Sequence, residues 1–171
     1  DSEIPEPSKQ NEQADDGNIW VKGESSEVEF KSTLRVSLHS GKPDDRVELA
    51  CLKTIAAFLN THGGCLVVGL DDEAKPVGLE HDKFDSEDKM SLHLVSLVNA
   101  RMGPLAMTCT DIRFEDCEGK RIMVVKCRKA SKPIFYKEKG SETEAFYVRT
   151  GPSTTQLSAS QTQDYITQAW S

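Results

Sequence analysis

The sequence predicts a single α+β (mixed α/β) domain, a mixed sheet with packed helices and a C-terminal helix. Three observations carry that expectation. Segments of strand and helix periodicity alternate between residues 28 and 102. The apolar run CLVVGL at 65–70, bounded by glycines and acids, has the length of a buried central strand rather than a helix. Beyond it come two hairpins with polar turns and a closing helical stretch. A chain of 171 residues can bury one sizeable core, not two.

The elements follow in order. Residues 1–18 (DSEIPEPSKQNEQADDGN) are rich in acids, Pro, Ser and Gln and lack periodicity. They read as a disordered acidic linker or tail, with the domain running over 19–171. Val28–Ser32 is a strand, with Val28 and Phe30 on one face and Glu27, Glu29 and Lys31 on the other. Asp44 or Asp45 caps a helix to about Thr61, striped by Val47, Cys51, Ile55, Phe58 and Leu59, and Gly63 ends it. Cys65–Leu70 is the central strand. Asp71–Pro76 turns, and Val77–Leu79 pairs back as a short strand. Ser86 caps a second helix to about Met102, with Met90, Leu94, Leu97, Val98 and Met102 facing inward. Met107–Phe114 and Arg121–Cys127 form one hairpin, and Pro133–Tyr136 and Ala145–Thr150 another. Ser158 or Ser160 opens the last helix, with Tyr165, Ile166 and Trp170 at helical spacing.

Charge is segregated. The formal net charge is −7, and residues 1–30 hold nine acids against two bases, so the rest of the chain is neutral. Within it, residues 71–90 carry eight acids and three bases, while 120–139 carry eight bases and one acid, Glu138. A local basic field attracts phosphates even on an acidic protein; a solvated face would look the same. No stretch approaches the ~18 apolar residues of a membrane-spanning helix, so no membrane partner is expected. The chain opens on Asp1 rather than Met, as a module of something longer or a processed product would. The five cysteines include no CxxC, so no zinc is expected, and they read as buried free thiols of a reducing, cytoplasmic compartment.

Four stretches carry chemistry. GESSEVEFKSTLR (23–35) places Glu24, Glu27 and Glu29 along a strand, where carboxylates are solvated, paired with Lys31, or hold a cation such as Mg²⁺ or Mn²⁺. NTHGGCLVVGLDD (60–72) ends a buried strand in Asp71 and Asp72, which either form a plain turn or join Glu24 and Glu29 at a metal. GxxxxGK[ST] is absent, so no P-loop supports ATP. KPIFYK (132–137) and AFYVRTGPST (145–154) interleave Phe135, Tyr136, Phe146 and Tyr147 with lysines and Arg149. That pattern suits single-stranded nucleic acid, and equally a hairpin with an aromatic core and a lysine rim.

EVEFKSTL, AAFLNTHGG, CLVVGLDD with VGL shortly after, LVNARMGP, KPIFYK and FYVRTGPST, in this order, resemble the Schlafen AlbA-type domain, often labelled DNA-binding. The resemblance covers about residues 20–170, and RTGPST looks most like bacterial members fused behind other modules. It implies a nucleic-acid-binding (DNA or RNA) domain, with a fused upstream module as partner. Some Schlafen proteins are metal-dependent RNA endonucleases that cleave transfer RNA. They use two glutamates five residues apart and a later aspartate, positions matched here by Glu24, Glu29 and Asp72 (or Asp71). In that reading these three hold Mg²⁺ or Mn²⁺, and Lys31 neutralises charge in the transition state. The zinc ligands of animal Schlafens are missing, and this chain has one lobe rather than two, so a clamp would need a homodimer.

Three functions follow. The first is nucleic-acid binding through Lys126, Arg128, Lys129, Lys132, Lys137 and Arg149. The second is a three-carboxylate ribonuclease, and the third a protein-interaction or dimerisation domain. Glu29-Phe30-Lys31 also has the E-x-K form of restriction-type nucleases, but the aspartate that form requires upstream is offered only by Asp15 and Asp16 of the tail.

Overall fold

The computed structural model describes residues 23–171, and in them the strands divide between two sheets that both pack against one helix, α1 (Asp45–Asn60). The first sheet has the order β1 (Val28–Lys31), β2 (Gly64–Val68), β4 (Lys120–Cys127), β3 (Thr110–Cys117). β1 and β2 run parallel, with Val28 opposite Cys65 and Glu29 opposite Leu66, because α1 provides the crossover that parallel strands need. β4 pairs antiparallel with both β2 and β3. The second sheet is antiparallel: β5 (Tyr136–Lys137), β6 (Glu144–Thr150), β7 (Ser153–Leu157). Helices α2 (Glu87–Met102), α3 (Pro104–Thr108) and α4 (Ala159–Ala169) complete the α+β domain. No helix among the described residues is long and apolar enough to cross a membrane.

Local chemistry sets the boundaries. Asp44 caps α1 by accepting from the Arg46 amide at 2.9 Å. The turn that follows α1 requires Gly63-Gly64 for two reasons. Gly63 has φ +74°, and a Cβ there would lie 2.6 Å from the Cys127 carbonyl oxygen. A Cβ on Gly64 would meet the Phe58 ring at the same distance. These glycines let β2 start directly under the end of α1. Ser86 caps α2, and Ser158 opens α4 with a reciprocal capping box to Gln161.

Four elements differ from expectation. The strand expected at Pro133–Tyr136 is the two-residue β5, Tyr136–Lys137. Val77–Leu79 is not a strand: one bridge joins Leu70 to Pro76, and the Val77 and Gly78 amides then both donate to the Gly69 carbonyl. Gly103, at φ +88°, stops α2, and Pro104 restarts a helix in its first turn, which absorbs Met107 and Thr108 and delays β3 to Thr110. β7 has no counterpart among the expected strands, since Ser153–Leu157 is polar and half-exposed and pairs along β6.

The core holds the two sheets to α1. Its C-terminal Asn60 is fully buried, donates to the carbonyls of Ile134 (2.8 Å) and Tyr147 (3.0 Å), and accepts from the Ile134 amide at 2.8 Å. The side chain therefore satisfies three backbone groups that water cannot reach. A second such clamp is Asp82, 1% exposed, whose carboxylate accepts the amides of Leu34, Arg35 and Val36 at 2.7–3.0 Å. None of the five cysteines forms a disulfide; Cys51, Cys65 and Cys127 are buried as expected, whereas Cys109 and Cys117 are half-exposed, and burial pushes the Cys51 thiol up to about 12 and raises that of Cys127.

Asn60→Ala is expected to lower the unfolding free energy by about 3 kcal/mol, because it strands those three partners; urea denaturation measures it, and a loss below ~1 kcal/mol contradicts the assignment. In mildly alkaline iodoacetamide, half-exposed Cys109 reacts while Cys51 and Cys127 stay unmodified until the protein unfolds. Mass spectrometry of the native protein reads this, and early labelling of Cys51 would refute it.

Candidate functional site

The front strand carries the carboxylates. Glu24 turns back along the chain, and its Oε1 accepts the Phe30 amide at 3.0 Å. Alternation along β1 sends Val28 and Phe30 to the outer face of the first sheet and Glu29 and Lys31 to the inner face, toward α1. There Glu29 meets the second sheet. Its Oε2 lies 3.3 Å from Nη2 of Arg149, and its Oε1 lies 3.4 Å from Nζ of Lys31.

Arg149, on β6, has a side chain only 1% exposed. Its Nη2 also donates to the Ser25 carbonyl at 2.8 Å, Nη1 donates to Oγ1 of Thr154, and the guanidinium sits 4.9 Å over the Phe58 ring. Its Nε is buried and has no hydrogen-bond partner among the described residues. The arginine expected to meet phosphates is instead turned inward.

The third carboxylate lies elsewhere. Asp72 is exposed, past the C-terminal end of β2, whereas Glu29 stands opposite Leu66 within the sheet. Asp71 is engaged by its own turn, accepting the amides of Glu73 and Lys75 at 2.9 Å each. Among the described residues, no group of three or more His, Cys, Asp or Glu could hold a metal ion. Both Glu29 oxygens already face cations, so this donor set does not fit Mg²⁺ or Mn²⁺ as arranged, and no catalytic step is derived through one.

The basic stretch also sorts itself. Arg121 is drawn off by Glu87, through bonds of 2.8 and 2.9 Å, and by Asp116 at 3.3 Å. Hydrogen bonding from Arg121 holds the Glu87 carboxyl below its ordinary value, so this tie operates above the usual glutamate range and is lost as pH falls through the lowered value. Lys137 pairs with Glu142 at 3.1 Å. Lys126 lies on the outer face of β4, opposite Cys65 and Asp111.

The segment after β4 is different. Arg128, Lys129 and Lys132 are exposed, and among the described residues none of them has a carboxylate partner. Arg128 donates to the Thr108 carbonyl at 2.6 Å. Lys129 donates to the Ala169 carbonyl at 2.7 Å and sits 4.9 Å from the centre of the Trp170 ring. Those contacts place the charges without neutralising them.

Aromatic rings border this segment. Tyr136, Phe146 and Tyr147 are buried, whereas Phe135 is 37% exposed and rests on Phe146 at 5.1 Å. Phe146 in turn touches Tyr165 and Trp170, and the Trp170 indole donates to the Ala130 carbonyl at 2.9 Å. Sequence reasoning put Trp170 in the stripe of the last helix but did not bring it to Lys129, since no spacing rule joins residues so far apart.

This α+β arrangement of two sheets about one helix has known counterparts. The chain belongs to the Schlafen AlbA_2 family, whose profile matches residues 24–158. The DIP2311 protein from Corynebacterium diphtheriae shares the fold, with a TM-score of 0.58 at 18% identity, over 85% of this chain. This chain spans 28% of the length of that protein. The N-terminal domain of a RecG-related protein from Nitrosomonas europaea gives a TM-score of 0.46 at 25% identity, over 77% of this chain and 82% of that one. No curated protein matches the chain.

Glu29→Gln leaves the Arg149 charge buried without its counter-charge, and is expected to lower the unfolding free energy by about 3–5 kcal/mol. Adding Arg149→Met to Glu29→Gln recovers part of that loss, because the stranded charge is gone. Urea denaturation of the three proteins measures both effects; a Glu29→Gln loss below ~1 kcal/mol shows the pair is not structural.

Proposed function

We propose that this domain binds nucleic acid along the segment that follows β4, with Arg128, Lys129 and Lys132 meeting phosphates and Lys126 flanking them. The observation that supports the reading is the charge of Arg128, Lys129 and Lys132, which no carboxylate among the described residues neutralises, set beside exposed aromatic surface. Exposed cations at this density concentrate phosphates, and a ring such as Phe135 offers a base a stacking face, so a single strand is the best-suited ligand. Family membership agrees with this assignment. Arg149 serves as an internal organiser in this reading, and Lys137, held by Glu142, contributes little.

The reading is tested by fluorescence anisotropy with short labelled single strands of DNA and of RNA, which also orders the two ligands. Four phosphate contacts give a log–log salt slope of roughly −3, and Lys132→Ala moves it about 0.7 toward zero. Arg128→Ala does the same. Salt-independent binding, or a slope unchanged in the double substitution, overturns the proposal, and absence of binding favours a protein-interaction role. In the same samples Mg²⁺ or Mn²⁺ is expected to leave the RNA intact; divalent-dependent cleavage that Asp72→Asn abolishes with the fold intact would establish the ribonuclease reading instead.

A further inference from the structure

A cavity of about 600 Å³ opens between α1, α2 and the second sheet, a space large enough for a small molecule. It shares no residue with the 128–135 segment. Leu49, Leu52 and Leu97 give it an apolar lining, and Lys53 and Arg101, both half-buried, bring charge. Neither cation has a carboxylate partner among the described residues; Nζ of Lys53 instead lies 5.4 Å from the centre of the Tyr147 ring. The carboxylates of the cavity are disposed otherwise. Glu48 is paired with Nε2 of His93 at 2.9 Å, while Asp45 and Glu138 are exposed, as is Lys139.

Two phenols distinguish this cavity from an ordinary crevice. Tyr136 on β5 and Tyr147 on β6 line it while only 4% and 5% exposed, their rings meeting edge-on at 6.0 Å. Among the described residues neither hydroxyl has a hydrogen-bond partner, although a buried tyrosine ordinarily finds one. The fully buried side-chain atoms that lack a partner there are Nε of Arg113 and of Arg149, so the phenol oxygens are open to the cavity rather than sealed. Burial raises both phenols above their ordinary range, and each therefore keeps its proton and offers an O–H donor. The Arg101 charge acts on Tyr136 in the opposite direction, which sets it near that hydroxyl. Donors without acceptors and cations without carboxylates call for the same guest. We propose that the cavity binds a small organic anion with a flat apolar body, a carboxylate or a phosphate monoester. Its charged end accepts from Tyr136 and Tyr147 and pairs with Lys53 and Arg101, and its body lies on the leucines.

Isothermal titration of the full chain with naphthoate, naphthyl phosphate and uncharged naphthol tests this. Saturable binding of at least one anion is expected, with naphthol about tenfold weaker or more, and the tighter anion tells carboxylate from phosphate. Tyr136→Phe and Tyr147→Phe each weaken that binding about tenfold, the worth of a hydrogen bond to a charged group. Arg101→Gln does likewise, and Lys53→Gln gives the same reading should Arg101→Gln fail to fold. Because the hydroxyls bond no described residue in the free protein, the urea midpoint of each tyrosine variant stays where it was, which a structural role would not allow. Three results overturn the proposal: no saturable binding of either anion, naphthol binding as tightly as the anions, or an affinity unchanged in the double tyrosine variant.

Discussion

A guanidinium that is 1% exposed needs a counter-charge, and the pairing of Arg149 with Glu29 supplies it. Removing a charge of that size from water costs several kcal/mol unless ion pairing and hydrogen bonds offset it. Arg149 finds both outside its own sheet: Glu29 lies on β1 and the Ser25 carbonyl just before it, while the Phe58 ring belongs to α1. One side chain therefore ties the second sheet to the edge strand of the first. The same bond decides the electrostatics of the front strand. Glu29 is committed inward, with Arg149 on one carboxylate oxygen and Lys31 on the other.

Asn60 makes the second tie, joining the end of α1 to Ile134 and Tyr147. Between Asn60 and the end of β4 the backbone is held at several points. The Ala130 amide donates to the Leu59 carbonyl at 2.8 Å, and the Arg128 amide to the Cys109 carbonyl at 2.9 Å. The segment bearing Arg128, Lys129 and Lys132 is thus fastened to the core while its charges stay in water. In the proposed reading, a surface fixed this way loses less conformational freedom when a polyanion binds.

Much of the fold was legible because its signals are local. The Asp44 and Ser86 caps, the stripe of α1, the run CLVVGL and the Gly63-Gly64 stop each depend on neighbouring residues, and each appears where the pattern placed it. The short strand expected at Val77–Leu79 failed because a carbonyl, that of Gly69, captured two amides in succession. β7 was illegible because an edge strand of serine and threonine has no apolar alternation to reveal it. The site divides the same way. Glu24, Glu29, Lys31 and the cations of the 126–132 segment were identifiable as residues, but their division into inward and outward charge was not. That division arises from the long-range contact between β6 and β1, and Trp170 reaches Lys129 only through the packing of α4.

The most direct test is a ¹⁵N-resolved NMR titration of the folded domain with a short unlabelled single strand, followed residue by residue at low salt. The account predicts shift changes concentrated at Arg128, Lys129, Lys132, Phe135 and the Trp170 indole, with the Arg149 side-chain signals unmoved. Changes centred on Glu24, Glu29 and Asp72 instead, with the 128–135 segment silent, would contradict it.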